Sequence, residues 1–296
     1  MSGHAFQNVT LNGASLGGIA DLTLDARETL LTEGESGQIY ETIATVIQSA
    51  PKATFACKSL GTLIGLMTGG SIPYVAITGL VLVAPRLAAA AVGYQAAVGA
   101  SWTFALPATY KPLLLPERIG WQIGGVAEIT VGAYALSVDG STAPLAVANN
   151  ASVPAVGTLG ERYVLTAATQ NGVAITGVQS VDLTIDHKVE NNQPHCYDAG
   201  LPHPVLLSQP GVGGPASMSC RLRSSDVGQV LAAGNLVLTF TKLSKIGVGI
   251  TTGTVTVTLR AGNARTEQVS GVPGMVDFLV HGTFDGANAP LTLAAA

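Results

Sequence analysis

A chain of 296 residues with 47% hydrophobic and only 11% charged residues is too apolar and too weakly charged for a disordered protein, and long enough for two domains of ordinary size. Its net charge of −4 comes from 14 Lys and Arg against 18 Asp and Glu without a basic block, which argues against a dedicated nucleic-acid binder with its phosphate-neutralising patch. So few charges would leave a free monomer poorly soluble, so the surplus apolar surface is expected to meet other subunits.

In chain order, residues 6–24 read as two short strands with an Asn12-Gly13 turn between them. In the second, Ile19, Asp21 and Thr23 alternate with Ala20, Leu22 and Leu24, the pattern of a half-buried strand. Residues 27–37 are polar, carry Glu28, Glu33 and Glu35, and read as a long extended loop. An extended segment over 40–49 and a strand over 53–58 follow. Leu60, Leu63, Ile64 and Met67 then fall at helical spacing, with Ser59 placed to cap and Gly69-Gly70 to stop the helix. The apolar run over 72–106 contains Arg86 and is broken by Pro73, Pro85 and several Gly, so buried strands are expected there in place of a membrane span. Residues 131–138 form the next strand, and 149–157, small and polar, read as a linker. Beyond it, Ser224-Ser225-Asp226 ahead of Val227, Val230 and Leu231 suggests a second short helix ended by Gly234-Asn235. Strands are expected over 236–241, 254–259 and 276–284; in the middle one Val255, Val257 and Leu259 share a face opposite threonines.

Two echoes run through this order. Asp139-Gly140, Ala143-Pro144-Leu145 returns as Asp285-Gly286, Ala289-Pro290-Leu291, and at the same offset Gln122, Gly125 and Val126 fall on Gln268, Gly271 and Val272. Asp21-Leu22-Thr23-Leu24-Asp25 returns as Asp182-Leu183-Thr184-Ile185-Asp186, followed by Gly37, Ala53 and Cys57 as Gly200, Ala216 and Cys220. The chain therefore reads as one domain written twice, residues 1–148 and 149–296. The expected fold is mainly β: two tandem antiparallel sandwich- or barrel-like domains, each with one short helix and one long loop, the second loop over 188–200. The spacing is far longer than a solenoid repeat.

Candidate chemistry is sparse. Of three cysteines, Cys57 and Cys220 read as buried small hydrophobes, and the odd count fits a reducing compartment better than a disulfide framework. Residues 1–7 are polar and lack the apolar core of a signal peptide. His195, Cys196, Tyr197, Asp198 and His203 are the only cluster of metal-ligand types, but all lie in one loop and have no counterpart in the first copy. Gly13-Ala14-Ser15-Leu16-Gly17 matches a nucleophile elbow in letters only, since a strand follows the Ser where a helix is required. Gly211-Val212-Gly213-Gly214 and Gly247-Val248-Gly249 open no helix at phosphate-binding spacing. The Asn8 and Asn150 glycosylation triplets lack a secretion context. No catalytic, cofactor or metal site is expected, and what recurs in both copies is architectural.

Two tandem β-domains with the Asp-Leu-Thr-Leu-Asp strand, the loop after it, the 59–67 helix and the terminal Asp-Gly…Ala-Pro-Leu strand resemble the tail tube proteins of tailed bacteriophages. The resemblance covers nearly the whole chain. It implies sheets packed edge to edge around a ring, a loop reaching the neighbouring ring, and closure of a two-domain chain as a trimer with pseudo-sixfold symmetry. It further implies partners limited to copies of the chain and other tail proteins, non-specific passage of DNA, no membrane, and a place in the virion tail after assembly in the host cytoplasm. A tail terminator, baseplate ring or capsid decoration protein is the alternative within virions. An enzyme or metal module built on the His195–His203 loop is the alternative outside that class.

Overall fold

The computed structural model describes residues 8–11, 14–25, 28–33, 43–49, 51–67, 75–76, 79–85, 101–107, 113–134, 145–150, 161–187, 189–190, 211–212, 217–229, 231–243, 250–271 and 274–296. They form a mainly β structure, with antiparallel pairing between all neighbouring strands and one short helix among the described residues.

The strands fall into the same order twice. In the first half, a five-stranded sheet runs Ala146–Asn150, Ser101–Pro107, Gly79–Pro85, Asn8–Leu11, Ala14–Leu16. In the second, the order is Leu291–Ala295, the first part of Ile250–Gly271, Gly234–Leu243, Tyr163–Gln170, Val173–Ala174. The other strands follow suit. Leu113–Gln122, Glu128–Tyr134, Lys52–Cys57 and Ile19–Asp25 lie side by side in the first half. Residues 263–271, Gly274–Gly282, Ser217–Ser224 and Val178–Asp186 do so in the second. Between the third and fourth strand of each set, the chain makes a separate two-stranded hairpin: Glu28–Glu33 with Ile43–Ser49, and Val189–Glu190 with Gly211–Val212.

Alternation explains which face each strand buries. Met218, Cys220, Leu222 and Ser224 point into the core while Ser217, Arg221 and Arg223 do not. Val255, Val257 and Leu259 are buried as their spacing predicts. Phe55, Phe240 and Phe278 are the largest fully buried side chains of one contiguous core. The 22-residue strand Ile250–Gly271 serves both sheets of its half by turning at Ala261, a non-Gly residue at φ 44 whose amide is held by Asn235 Oδ1 at 3.0 Å. The strands predicted in the apolar 72–106 run are present as Gly79–Pro85 and Ser101–Pro107, and no described helix is long and apolar enough to cross a membrane.

The helix, Leu60–Met67, fastens the two halves to each other. Leu60, Leu63 and Ile64 are fully buried, each contributing about 1.5–3 kcal/mol by burial, and the helix packs against Leu291–Ala295. Ser59 precedes it as predicted, but its hydroxyl donates to the Gly17 carbonyl (2.9 Å) and accepts from the Glu161 amide (3.0 Å). The helix amide of Thr62 is instead met by the Glu161 carboxylate at 3.3 Å, an anion at the positive helix end. The same carboxylate accepts from the Tyr163 hydroxyl (3.2 Å) and from Lys242. Burial pushes the Glu161 carboxyl up, but these donors, Lys242 foremost, outweigh it and hold the pKa below 4.5.

Several expectations are corrected. Among the described residues the second short helix is absent: Asp226 organises a tight turn, accepting from the Gly228 amide (3.3 Å) and the Thr176 hydroxyl (2.6 Å), and Val227 is left exposed. The polar segment after Asp25 is not a loop throughout, because Glu28–Glu33 is a strand of a hairpin. Alternation in Ile19–Asp25 breaks at a bulge between Ala20 and Thr23, where Asp21 takes φ 50, so Ile19 packs on the core with Leu22 and Leu24. The 148/149 boundary and the start of the 149–157 linker fall inside the strand Ala146–Asn150. Cys57 and Cys220 are both buried but are not equivalent. Asp25 lies opposite Lys52 and Asp186 opposite Ser217, so Cys220 occupies the place of Phe55. By the same count Gln268 stands where Gly120 does, and the Gln122–Gln268 echo does not coincide in space.

Two outcomes test this junction. A Cβ at Gly61 would lie 2.0 Å from the Tyr163 hydroxyl, so Gly61→Ala is expected to cost about 1–3 kcal/mol in urea denaturation, and Tyr163→Phe to restore part of it. Because the folded Glu161 pKa lies below its unfolded value, its stabilisation is complete above about pH 4.5 and is lost as pH falls through the folded pKa. Thermal melts from pH 6 to pH 3 should therefore show a shallower loss of stability in Glu161→Gln than in the parent.

Candidate functional site

The two four-stranded sets are joined by backbone hydrogen bonding. Leu113–Gln122 pairs with Val178–Asp186 in the register Arg118↔Thr184, Ile119↔Leu183, Gly120↔Asp182, Trp121↔Val181, Gln122↔Ser180. The result is an unbroken eight-stranded antiparallel sheet, with residues 263–271 at one margin and Ile19–Asp25 at the other. Its inner face belongs to the core. Its outer face carries Asp21, Thr23, Arg118, Thr184, Arg221, Arg223 and Arg265 in exposed positions.

Side chains reinforce the internal seam. Arg118 grips Asp182 with both prongs, Nε to Oδ1 at 2.7 Å and Nη2 to Oδ2 at 3.0 Å, reaching diagonally across the ladder. The Asp182 hydrogen bond raises the Arg118 pKa. Past the end of the register, His187 Nε2 lies 2.8 Å from the Pro116 carbonyl, and burial pushes the His187 pKa down, so the neutral ring occupies the seam near pH 7. A concavity of about 660 Å³ lies over the joint, lined by Arg118, Trp121, Gln122, Glu128 and Asp182 among others.

Positive charge on the outer face is neutralised in place. Arg223 holds Asp277 bidentately (2.7 and 2.8 Å), and Arg221 donates to Glu267 at 2.8 Å. Arg265 lies 3.7 Å from the same Glu267. The hydrogen bonds from Arg223 and Arg221 hold the Asp277 and Glu267 carboxyls below their ordinary range. The Asp277 and Glu267 carboxylates have little capacity for acid–base chemistry, because an arginine keeps each ionised and occupied. The thiols are no more reactive: burial pushes Cys57 up to about 11 and Cys220 up further.

The two margins of the sheet are its other feature. Among the described residues no strand pairs with the outer side of Ile19–Asp25 or of 263–269. Ile19–Asp25 corresponds in the strand order to Val178–Asp186, and 263–271 to Leu113–Gln122. Each open margin is thus the counterpart of one side of the internal seam.

Of the sequence candidates, Ser15 lies in a hairpin opposite Thr10, with no helix following it. Gly211 and Val212 form one strand of the second small hairpin. Gly213, Gly214, residues 247–249 and the whole 195–203 cluster, including His195, Cys196 and His203, lie outside the described residues. Among the described residues no group of three or more His, Cys, Asp or Glu could hold a metal ion. The seam arginine Arg118 and its partner Asp182 were missed as a pair; the recurrence of the Asp-Leu-Thr-Leu-Asp segment marked one partner, and no sequence signal marked the other. No family model matches the chain, and no curated protein matches it.

An exposed ion pair of this kind is worth about 0.2–1 kcal/mol. Arg118→Gln is therefore expected to lower stability by no more than about 1 kcal/mol in urea denaturation, while leaving the far-ultraviolet dichroism of a β-protein intact.

Proposed function

We propose that the chain is a virion structural subunit that joins copies of itself edge to edge into rings, and that the rings stack into a phage tail tube that conducts DNA. The observation that carries this reading is the pair of open sheet margins that repeat the two sides of the internal seam. The matching strand orders fit an origin by domain duplication. Open margins are a template for pairing with another chain, and closing a ring removes them. A head-to-tail contact closes only when its rotation fits, and here each chain already contains one such step.

Three chains would bring twenty-four strands to the ring. At a strand spacing of about 4.8 Å and a tilt near 40°, that barrel closes at a backbone diameter of roughly 45–50 Å, room for a DNA duplex. The polar outer face of the sheet would line it, and its arginines, already gripped by carboxylates, suit a wall along which phosphates slide without being held. The hairpin formed by Glu28–Glu33 and Ile43–Ser49 pairs with neither main sheet, which suits an arm that reaches the next ring.

Electron microscopy and sedimentation of concentrated protein test this. Rings of uniform diameter that stack into tubes are expected; single rings that never stack would point to a terminator or decoration role, and a monomer at every concentration would overturn the reading. Deleting residues 28–35 is expected to leave a cooperatively folded protein that assembles poorly, and unchanged assembly would remove the hairpin from the contact.

A further inference from the structure

The internal seam gives more than the existence of a contact between copies; it gives the register. Counting across the ladders from the shared Asp-Leu-Thr-Leu-Asp segment, Asp25 and Asp186 face Lys52 and Ser217, so Ala56 corresponds to Arg221. Those residues face Thr130 and Leu279, which in turn face Arg118 and Arg265. Arg118 and Arg265 therefore hold the same place in the two halves. Asp21 and Asp182 hold the same point of the repeated segment, but Asp182 faces Arg221 whereas Ala20 faces Ala56, so Asp21 is the extra residue of the bulge, one step from the place of Asp182. In the internal seam this arginine and this aspartate form the bidentate pair.

We infer that Arg265 of one copy pairs with Asp21 of the next, in a ladder that sets Arg265 opposite Thr23, Thr266 opposite Leu22 and Gln268 opposite Ala20 of that copy, with Asp21 bulged between Ala20 and Leu22. The inference rests on the edge-to-edge reading and adds to it the partner residues and their alignment. Both groups are placed for it. Asp21 is exposed and swung out on a bulge, and no ion pair is formed by it among the described residues. Arg265 has a side chain 66% exposed, and its contact with Glu267 is long at 3.7 Å, whereas Arg118, Arg221 and Arg223 each hold a carboxylate at 2.7–2.8 Å. Glu267 is itself engaged by Arg221. Glu267 also sits at the bulge between Thr266 and Gln268, so it is the residue skipped in the count along that strand. Opposite charges on the two margins fix both the direction of association and the alignment of the strands, since like-sign margins of two copies repel.

The test uses the full chain. Sedimentation of Asp21→Asn, Arg265→Gln and the double variant at low salt measures coupling; Asn tolerates the positive φ at position 21. Each single substitution is expected to weaken ring formation about two- to fivefold, the double no more than either alone, with the difference shrinking as salt is raised. Additive or absent effects would overturn the ion pair. Register is read separately in a Cys196→Ser background, where Cys57 and Cys220 are buried. Thr23→Cys with Arg265→Cys should oxidise to a ladder of linked chains, and Thr23→Cys with Gln268→Cys should not. If the parent forms rings but the second pair links as fast as the first, the register is wrong and the edge-to-edge reading survives. If the parent forms no rings, both fall.

Discussion

The antiparallel ladder between Leu113–Gln122 and Val178–Asp186 is the constraint on which the rest of the architecture depends. Backbone N–H and C=O groups at a sheet margin must find partners or stay in water, and this ladder satisfies two margins by bringing together strands from opposite halves of the chain. Without it each four-stranded set would present two open edges; with it, the eight-stranded sheet presents two in all among the described residues. The helix Leu60–Met67 and the Glu161 cluster hold the halves in the position the ladder requires. Among the described residues that brace is not repeated in the second half, where Asp226 makes a turn at the comparable point. The asymmetry has a physical basis: the helix of the first half packs on Leu291–Ala295 of the second, and one chain needs one such brace.

The electrostatics follow the same economy. With 14 basic and 18 acidic residues in 296, the chain spends several of its charges on cross-strand pairs on one face of the sheet. Arginine suits this use, because its planar fork matches a carboxylate and holds both partners ionised. A surface neutralised pair by pair keeps solubility and strand alignment without building the strong positive field that would retain phosphate. Arg265 is the arginine of this face whose carboxylate contact is long.

Much of the fold is legible from residue pattern. Val255, Val257 and Leu259 go inside because a pleated strand has period two, and Leu60, Leu63 and Ile64 because a helix has period 3.6. A turn signal of the same kind as the expected Asn12-Gly13 turn is realised at Asn171-Gly172, both at positive φ, joining Gln170 to Val173. The equivalence of Arg118 and Arg265 was not legible. Bulges displace the count differently in the two halves, between Pro116 and Arg118 in one and between Thr266 and Gln268 in the other, so no constant offset superimposes them. The second helix failed for a related reason: Val227, Val230 and Leu231 have helical spacing, but Asp226 and Thr176 favour a turn that leaves Val227 exposed.

By itself the sequence determined the mainly β class, the repeated order of its segments, the buried faces of its regular strands and the place of the one described helix. These follow from local periodicity and turn chemistry, which act over a few residues. Only the tertiary structure decided which strands become neighbours, that the two halves share a single sheet, and that Arg118 meets Asp182 across 64 positions of chain. Pairing between distant strands is set by the global balance of backbone satisfaction and core packing, and each bulge along the way shifts the alignment by a residue that local pattern does not record.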